Sequence, residues 1–194
     1  MILDLNMLQL YKFIFISFFP LIFINDDTRT VQTPSLKQVF NSKFKIGVAL
    51  NKNQIRQRQQ KENELIKREF SSLTAENVMK WEEIHPKKDR YNFKTPDLLV
   101  SLSQDNNQDL IGHTLVWHNQ IPEWVTREDD GSLLDINTLL KNITDHITAV
   151  AGRYSGKIKG WDVVNEAILD DGSYREDDFY NISGEEYIFK SFEI

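Results

Sequence analysis

The 194-residue chain contains no cysteine. Disulfides and thiolate metal sites are therefore excluded, and redox chemistry gives no reading of the compartment. Charge of one sign is not concentrated either: 23 Lys and Arg stand against 29 Asp and Glu, a formal net charge of −6, with no basic block. Without that electrostatic footprint, nucleic acid is not an expected partner. No Gly-rich phosphate loop follows an apolar run, so a nucleotide-binding α/β fold has no support. The sequence HExxH is absent, and His113 and His118, five positions apart on one predicted strand, point to opposite faces. No metal and no cofactor are expected. The longest apolar run, residues 13–24, is broken by Ser17 and Pro20 and falls short of the roughly 20 residues of a membrane span.

What is present describes a globular protein with a real core: 40% of residues are hydrophobic and 27% charged. Lys12, the short apolar run after it and its polar exit fit a secretory signal. Asp4 is out of place in one, and no small-residue cleavage site follows Ile24. Residues 1–25 are thus read as a signal peptide, with a retained membrane anchor or a true start at Met7 as alternatives. The expected location is secreted, periplasmic or cell-surface. Residues 26–43, polar and punctuated by proline, read as a linker. The fold is expected to start near Phe44.

From there, strand and helix patterns alternate four times. FKIGVAL (44–50) reads as a strand buried on both faces, and KENELIKREF places Leu65, Ile66 and Phe70 at helical spacing. SSLTAENV (71–78) gives a second strand, and the next helix is predicted to start with Thr95 as N-cap and Pro96 at its first position. DLIGHTLVW (109–117) is the third strand. The long helix after it is capped by Asp135 and carries Leu139, Leu140, Ile143, Ile147, Val150 and Tyr154 on one face. KIKGWDVVN is the fourth strand, and a Ser183/Glu186 capping signal opens the last helix. Such alternation implies a parallel sheet, open and doubly wound or part of an eightfold barrel.

In a βα barrel the reactive groups gather where strands end. The second strand ends at Glu76 and Asn77, with Lys80 and Trp81 just beyond. The third carries His113, Trp117, His118 and Gln120, and the fourth delivers Asn165 and Glu166. Hydrogen-bonding groups interleaved with tryptophan suit a sugar, whose rim is hydroxylated and whose faces are apolar. Trp124 and Trp161 read instead as core residues, and the Asp170–Asp171–Gly172 run as a turn rather than a calcium loop.

Three stretches, ENVMKWEEIHP, GHTLVWHNQIPEW and GWDVVNEAILDDGSYR, resemble the signature segments of glycoside hydrolase family 10, the retaining endo-β-1,4-xylanases built on a (β/α)8 barrel. The similarity runs from about Phe44 to the last residue. It departs at Ile111, where members often have arginine, and at Asp89, where they often have glycine. The resemblance implies that Glu166 is the acid/base carboxylate and that Asn165 holds the sugar 2-hydroxyl. It further implies that Glu76, Asn77, Lys80, His113, Trp117 and Gln120 line the subsites on the non-reducing side, with xylan or xylo-oligosaccharides as substrate. The Asn-Glu pair also fits a retaining cellulase or mannanase, and the groove alone fits a non-catalytic xylan-binding protein. GHTLVWHNQ and ENVMKW argue against the other glycosidases.

A barrel of this kind needs about 250 residues, and the patterns here supply about four βα units. The family's nucleophile is a glutamate in a later, ITELD-like segment, and these 194 residues contain none. Complete members are expected to be monomers. This chain alone is expected to be inactive and, with two sheet edges unpaired, prone to self-association.

Overall fold

The computed structural model describes residues 33–194; the signal segment and the first residues of the expected linker lie outside the described residues. Four parallel strands form one sheet in the order β1 (Gly47–Leu50), β2 (Ser72–Ala75), β3 (Asp109–Trp117), β4 (Gly160–Asn165). Parallel neighbours need crossovers, and helices supply them. A short α1 (Leu36–Val39) precedes β1, α2 (Lys52–Ile55) and α3 (Gln60–Glu69) precede β2, and α4 (Trp81–Ile84) and α5 (Lys94–Asp105) precede β3. A 3-10 turn (Glu123–Val125) and α6 (Ile136–Arg153) lead to β4, and α7 (Asp178–Ser183) and α8 (Glu186–Glu193) follow it.

Strand parity sorts the sheet into two faces. Leu50, Leu73, Ala75 and Leu110 are buried beneath the helices, whereas Gly47, Ala49 and Asp162 are exposed and Ser72, Thr74, Ile111 and His113 half-buried. Helix α5 lies against β2 and β3, α6 against β3, and α8 against β4. The expectation that β1 is buried on both faces is therefore corrected: among the described residues, cover lies on its helix side, where Leu50 is buried, while Gly47 and Ala49 are exposed. Gly112 lets the covered side pack tightly. A Cβ there would stand 2.1 Å from a ring carbon of Trp161, its register partner on β4, so the indole can lie against β3 only because residue 112 has no side chain.

Helix α6 forms as its sequence requires. The Asp135 carboxylate accepts from the backbone N–H of Asn137 (2.9 Å) and Thr138 (3.1 Å), satisfying two otherwise orphaned donors. Its buried stripe is Leu139, Ile143, Ile147 and Val150, continued by Tyr154, with Asn142 and His146 also buried and Leu140 only half-buried. Three boundaries differ from expectation. Helix α5 begins at Lys94 with Phe93 as cap, which puts Pro96 at the third position, still within the turn whose N–H groups have no intrahelical acceptor. Ser183 does not cap α8. It ends α7, donating its hydroxyl to Phe179 O (2.9 Å), and Gly184 at φ 58° turns the chain into α8. The packed region also starts earlier than Phe44: Leu36 N–H donates to Glu69 Oε2 (2.7 Å) and Lys37 Nζ to Lys67 O (2.7 Å), tying α1 to α3.

Trp81, grouped with the sugar-facing candidates by its sequence position, belongs to the core. It is 2% exposed and stacks on the His146 ring at 3.8 Å. Beside it, His85 and His146 meet Nδ1 to Nδ1 at 3.1 Å, and His85 Nε2 lies 3.0 Å from Lys88 O. A carbonyl only accepts, so His85 carries its proton on Nε2 and His146 donates from Nδ1. Burial pushes both rings toward the neutral form, His146 far below its ordinary value and further disfavoured by His85. Trp124 packs edge-on against Trp81 and His85, its indole N–H reaching Pro86 O (3.2 Å).

Candidate active site

The ends of β2, β3 and β4 bring the chemistry-bearing residues to one side of the sheet. Past β2, the chain turns through Asn77 into α4 and buries Lys80, whose Nζ donates to Asn77 Oδ1 (3.0 Å) and Gln120 Oε1 (2.6 Å). Gln120 Nε2 donates in turn to Asn77 Oδ1 (3.3 Å), and Glu82 N–H to Gln120 O (2.9 Å) locks the β2 and β3 loops together. Gln120 adopts φ 50° to make these contacts. Asn77 Nδ2 reaches Glu76 Oε1 at 3.4 Å, and Lys80 Nζ lies 4.7 Å from the Trp117 ring centroid, within cation–π range. Burial lowers the Lys80 pKa from its ordinary value, opposed by the negative charges of Glu76 and Glu166.

Glu166 follows β4 directly, at φ 56°. Its carboxylate accepts from the Trp117 indole N–H (2.9 Å), and its backbone carbonyl accepts from Arg175 Nε (2.8 Å). His118, just past the end of β3, places Nε2 3.9 Å from Glu166 Oε2. Burial and the Arg175 charge lower the His118 pKa, opposed by Asp177 and Glu166. Asp177 is itself raised by burial and caps α7 by accepting from Tyr180 N–H (3.0 Å). Asn165 stands register-opposite Trp117, half-buried. Beside Glu166 an open depression of ≈ 640 Å³ is lined by the β4 loop alone, through Ile168, Leu169, Asp170, Asp171 and Arg175.

The structure thus gathers Glu76, Asn77, Lys80, Trp117, Gln120 and Glu166 into one linked constellation. His113 lies lower on the same open face, its Nδ1 2.9 Å from Asp162 Oδ2. Asp162 and Arg175 were not anticipated as site residues. Asp162 had a readable signal, since it shares strand parity with Val164 and Glu166; Arg175 had none, because its reach depends on the loop. That loop is a small hairpin: Ile168 bridges Tyr174, Asp171 Oδ1 accepts from Ser173 N–H (2.9 Å), and Gly172 takes φ 88°. The Asp170–Asp171–Gly172 run is a turn, and the same DDGS sequence builds a matching turn at residues 129–132.

The sequence matches the glycosyl hydrolase family 10 model over residues 35–194. It is 43% identical over 159 residues to endo-1,4-beta-xylanase A of Xylanibacter ruminicola, covering 82% of this chain and 43% of the relative. It is 41% identical over 179 residues to a beta-1,4-xylanase of Dictyoglomus thermophilum, covering 90% and 47%. Among solved structures, xylanase 10B from Thermotoga petrophila in complex with xylobiose superposes with a TM-score of 0.76 at 41% identity, over 84% of this chain and 49% of that one. A psychrophilic family 10 endo-beta-1,4-xylanase gives 0.77 at 38%, over 83% and 51%. The chain spans about half the length of the curated relatives it matches, and its four-stranded sheet is correspondingly the first part of a (β/α)8 barrel. With three strand ends converging on Glu166 and a family match that runs the length of the packed region, this chain belongs to glycosyl hydrolase family 10.

Proposed function

We propose that this chain supplies the acid/base half of a retaining endo-β-1,4-xylanase site. The observation that carries the reading is the Trp117 indole N–H on the Glu166 carboxylate (2.9 Å), with the Lys80–Asn77–Gln120 network beside it. An acid that protonates a leaving oxygen must be held at one place relative to the sugar. Trp117 from β3 and Arg175 from the loop fix Glu166 from both ends. The network offers donors and acceptors for the hydroxyls of the sugar on the non-reducing side, the Trp117 ring offers an apolar surface, and Asn165 is assigned to the 2-hydroxyl.

Retaining hydrolysis needs a second carboxyl group about 5–5.5 Å from the first, acting as nucleophile across the sugar ring. Asp170, Asp171 and Glu176 share the loop of Glu166 and are not carried by a separate strand facing it. The nucleophile then has to come from a polypeptide segment beyond these 194 residues, and the chain by itself is inactive. The relatives' names support xylan as substrate, and the xylobiose complex of the Thermotoga petrophila enzyme supports binding of short xylo-oligosaccharides. The apolar run at 13–24 supports export, which a polymeric substrate outside the cell requires. The test is hydrolysis by a completed barrel, this chain fused to the remaining four βα units of a relative. Release of reducing sugar from xylan in clear preference to carboxymethylcellulose is expected; the reverse preference would make it a cellulase.

A further inference from the structure

We propose that Arg127 is a positioning residue for Glu166, acting through Asp178 and a hydrogen-bonded brace over residues 175–178 that holds the Glu166 backbone in place. This role rests on the acid/base reading of Glu166 given above.

Glu166 needs holding because it leaves β4 at φ 56°, a backbone region that residues with a side chain seldom adopt and that persists only where the surroundings fix it. Two bonds from Arg175 meet this turn. Its Nε donates to Glu166 O (2.8 Å) and its backbone N–H to Ala167 O (2.8 Å). Two residues on, Asp177 N–H donates to Arg175 O (2.9 Å), and the Asp177 carboxylate caps α7 by accepting from Tyr180 N–H (3.0 Å). Residues 175–178 therefore connect the turn at Glu166 to the start of α7 through a continuous series of hydrogen bonds.

The outer end of this brace is fixed by the β3 loop. Asp178, the first residue of α7, accepts from Arg127 Nη2 at Oδ1 (2.7 Å) and from Thr126 Oγ1 at Oδ2 (3.1 Å). Thr126 is itself buried. Arg127 is held in turn, because its Nη1 donates to Gly131 O (2.8 Å) across the small hairpin in which residue 127 bridges Leu133. A carboxylate gripped at both oxygens by groups that are themselves fixed is more directional than an isolated exposed ion pair. The carboxylate of Glu166 is meanwhile bonded to Trp117 on β3. Strand β3 and its loop thus hold Glu166 twice, at the carboxylate through Trp117 and at the backbone through Arg127, Asp178 and Arg175.

The test uses the completed barrel with Arg127→Gln and Asp178→Asn, the second variant keeping an oxygen for Thr126 should the first fail to fold. Two substrates separate positioning from stability. Xylan requires a proton on its leaving oxygen, whereas dinitrophenyl xylobioside releases a stable phenolate that needs none, so its first step is indifferent to where the acid stands. In either variant kcat/KM for xylan should fall about 10- to 100-fold, the loss that a small misplacement of a catalytic group produces, while kcat/KM for dinitrophenyl xylobioside stays at the parental value. The double variant should lose no more than the single ones, because the two residues make one contact. Equal losses on both substrates would show a structural role only and overturn the proposal, as would parental turnover of xylan. Glu166→Gln measured in parallel keeps two failures apart. A split between substrates in Glu166→Gln without one in Arg127→Gln removes Arg127 alone; no split in Glu166→Gln removes the acid/base reading and this role with it.

Discussion

Gly112 and His113 are neighbours in the chain, as are their register partners Trp161 and Asp162, yet the two pairs do opposite things. Gly112 and Trp161 close the helix-covered face, where a single methyl group has no room. One residue later, His113 and Asp162 hydrogen-bond on the open face at 2.9 Å, with Asp162 exposed to solvent. The covered face is built by apolar burial, with Leu50, Leu73, Leu99, Leu139 and Ile143 all inaccessible; the open face is built by polar pairs that lead up to Glu166. The pleat of the strand, which sends successive side chains to opposite faces, therefore separates what stabilises this protein from what it does.

That division is sharpened most by changes that should affect one face and spare the other. In a completed barrel, Glu166→Gln keeps size and sugar contacts but cannot transfer a proton, so xylan turnover should fall by about 10²- to 10⁴-fold while the melting temperature hardly moves. Parental activity in that variant would remove Glu166 from the chemistry. On the covered face, Gly112→Ala forces a Cβ into the Trp161 ring, and a loss of about 1–3 kcal/mol is expected from overpacking, read as a lowered urea midpoint. An unchanged midpoint would mean that β3 and β4 do not pack as described.

A smaller effect should come with pH. His85 and His146 have folded-state pKa values below their ordinary value near 6.5, so below about pH 6.5 the unfolded chain binds more protons than the folded one. The stability they contribute is complete above that pH and declines as pH falls, by up to about 1.4 kcal/mol per unit for the fully buried His146. Urea midpoints at pH 7.5 and 5.5 measure it. His146→Phe, which keeps a ring against Trp81, should flatten the decline; an equal slope in the variant would assign the acid sensitivity to other groups.

How much of this was legible in the sequence follows the same division. Strand β3 was readable to the residue, and Asp135 marked the start of α6, because both signals are local: an apolar run bounded by turns and a capping side chain. Thr95 and Ser183 carried equally good local capping signals, but Phe93 and Glu185 hold the N-cap positions of α5 and α8, with Thr95 buried inside α5 and Ser183 absorbed into the end of α7. Trp81 and Trp117 looked alike in their motifs; only packing against His146 sends one to the core and leaves the other beside Glu166. The Glu166 constellation was legible through family-specific segments. The Asp162 partner of His113, 49 residues away, required the parallel register of β3 and β4, in which the two stand opposite each other.

The central claim is that the open face carries one catalytic carboxylate of a pair, with its partner supplied by sequence not among these 194 residues. The direct measurement is reducing-sugar release from xylan by this chain alone, beside a Glu166→Ala control. The account predicts identical background from both, since the other carboxylates near Glu166 sit on its own loop and the ITELD-like segment is not among these 194 residues. Turnover by the chain above the control would contradict it and show that a second carboxylate is already present.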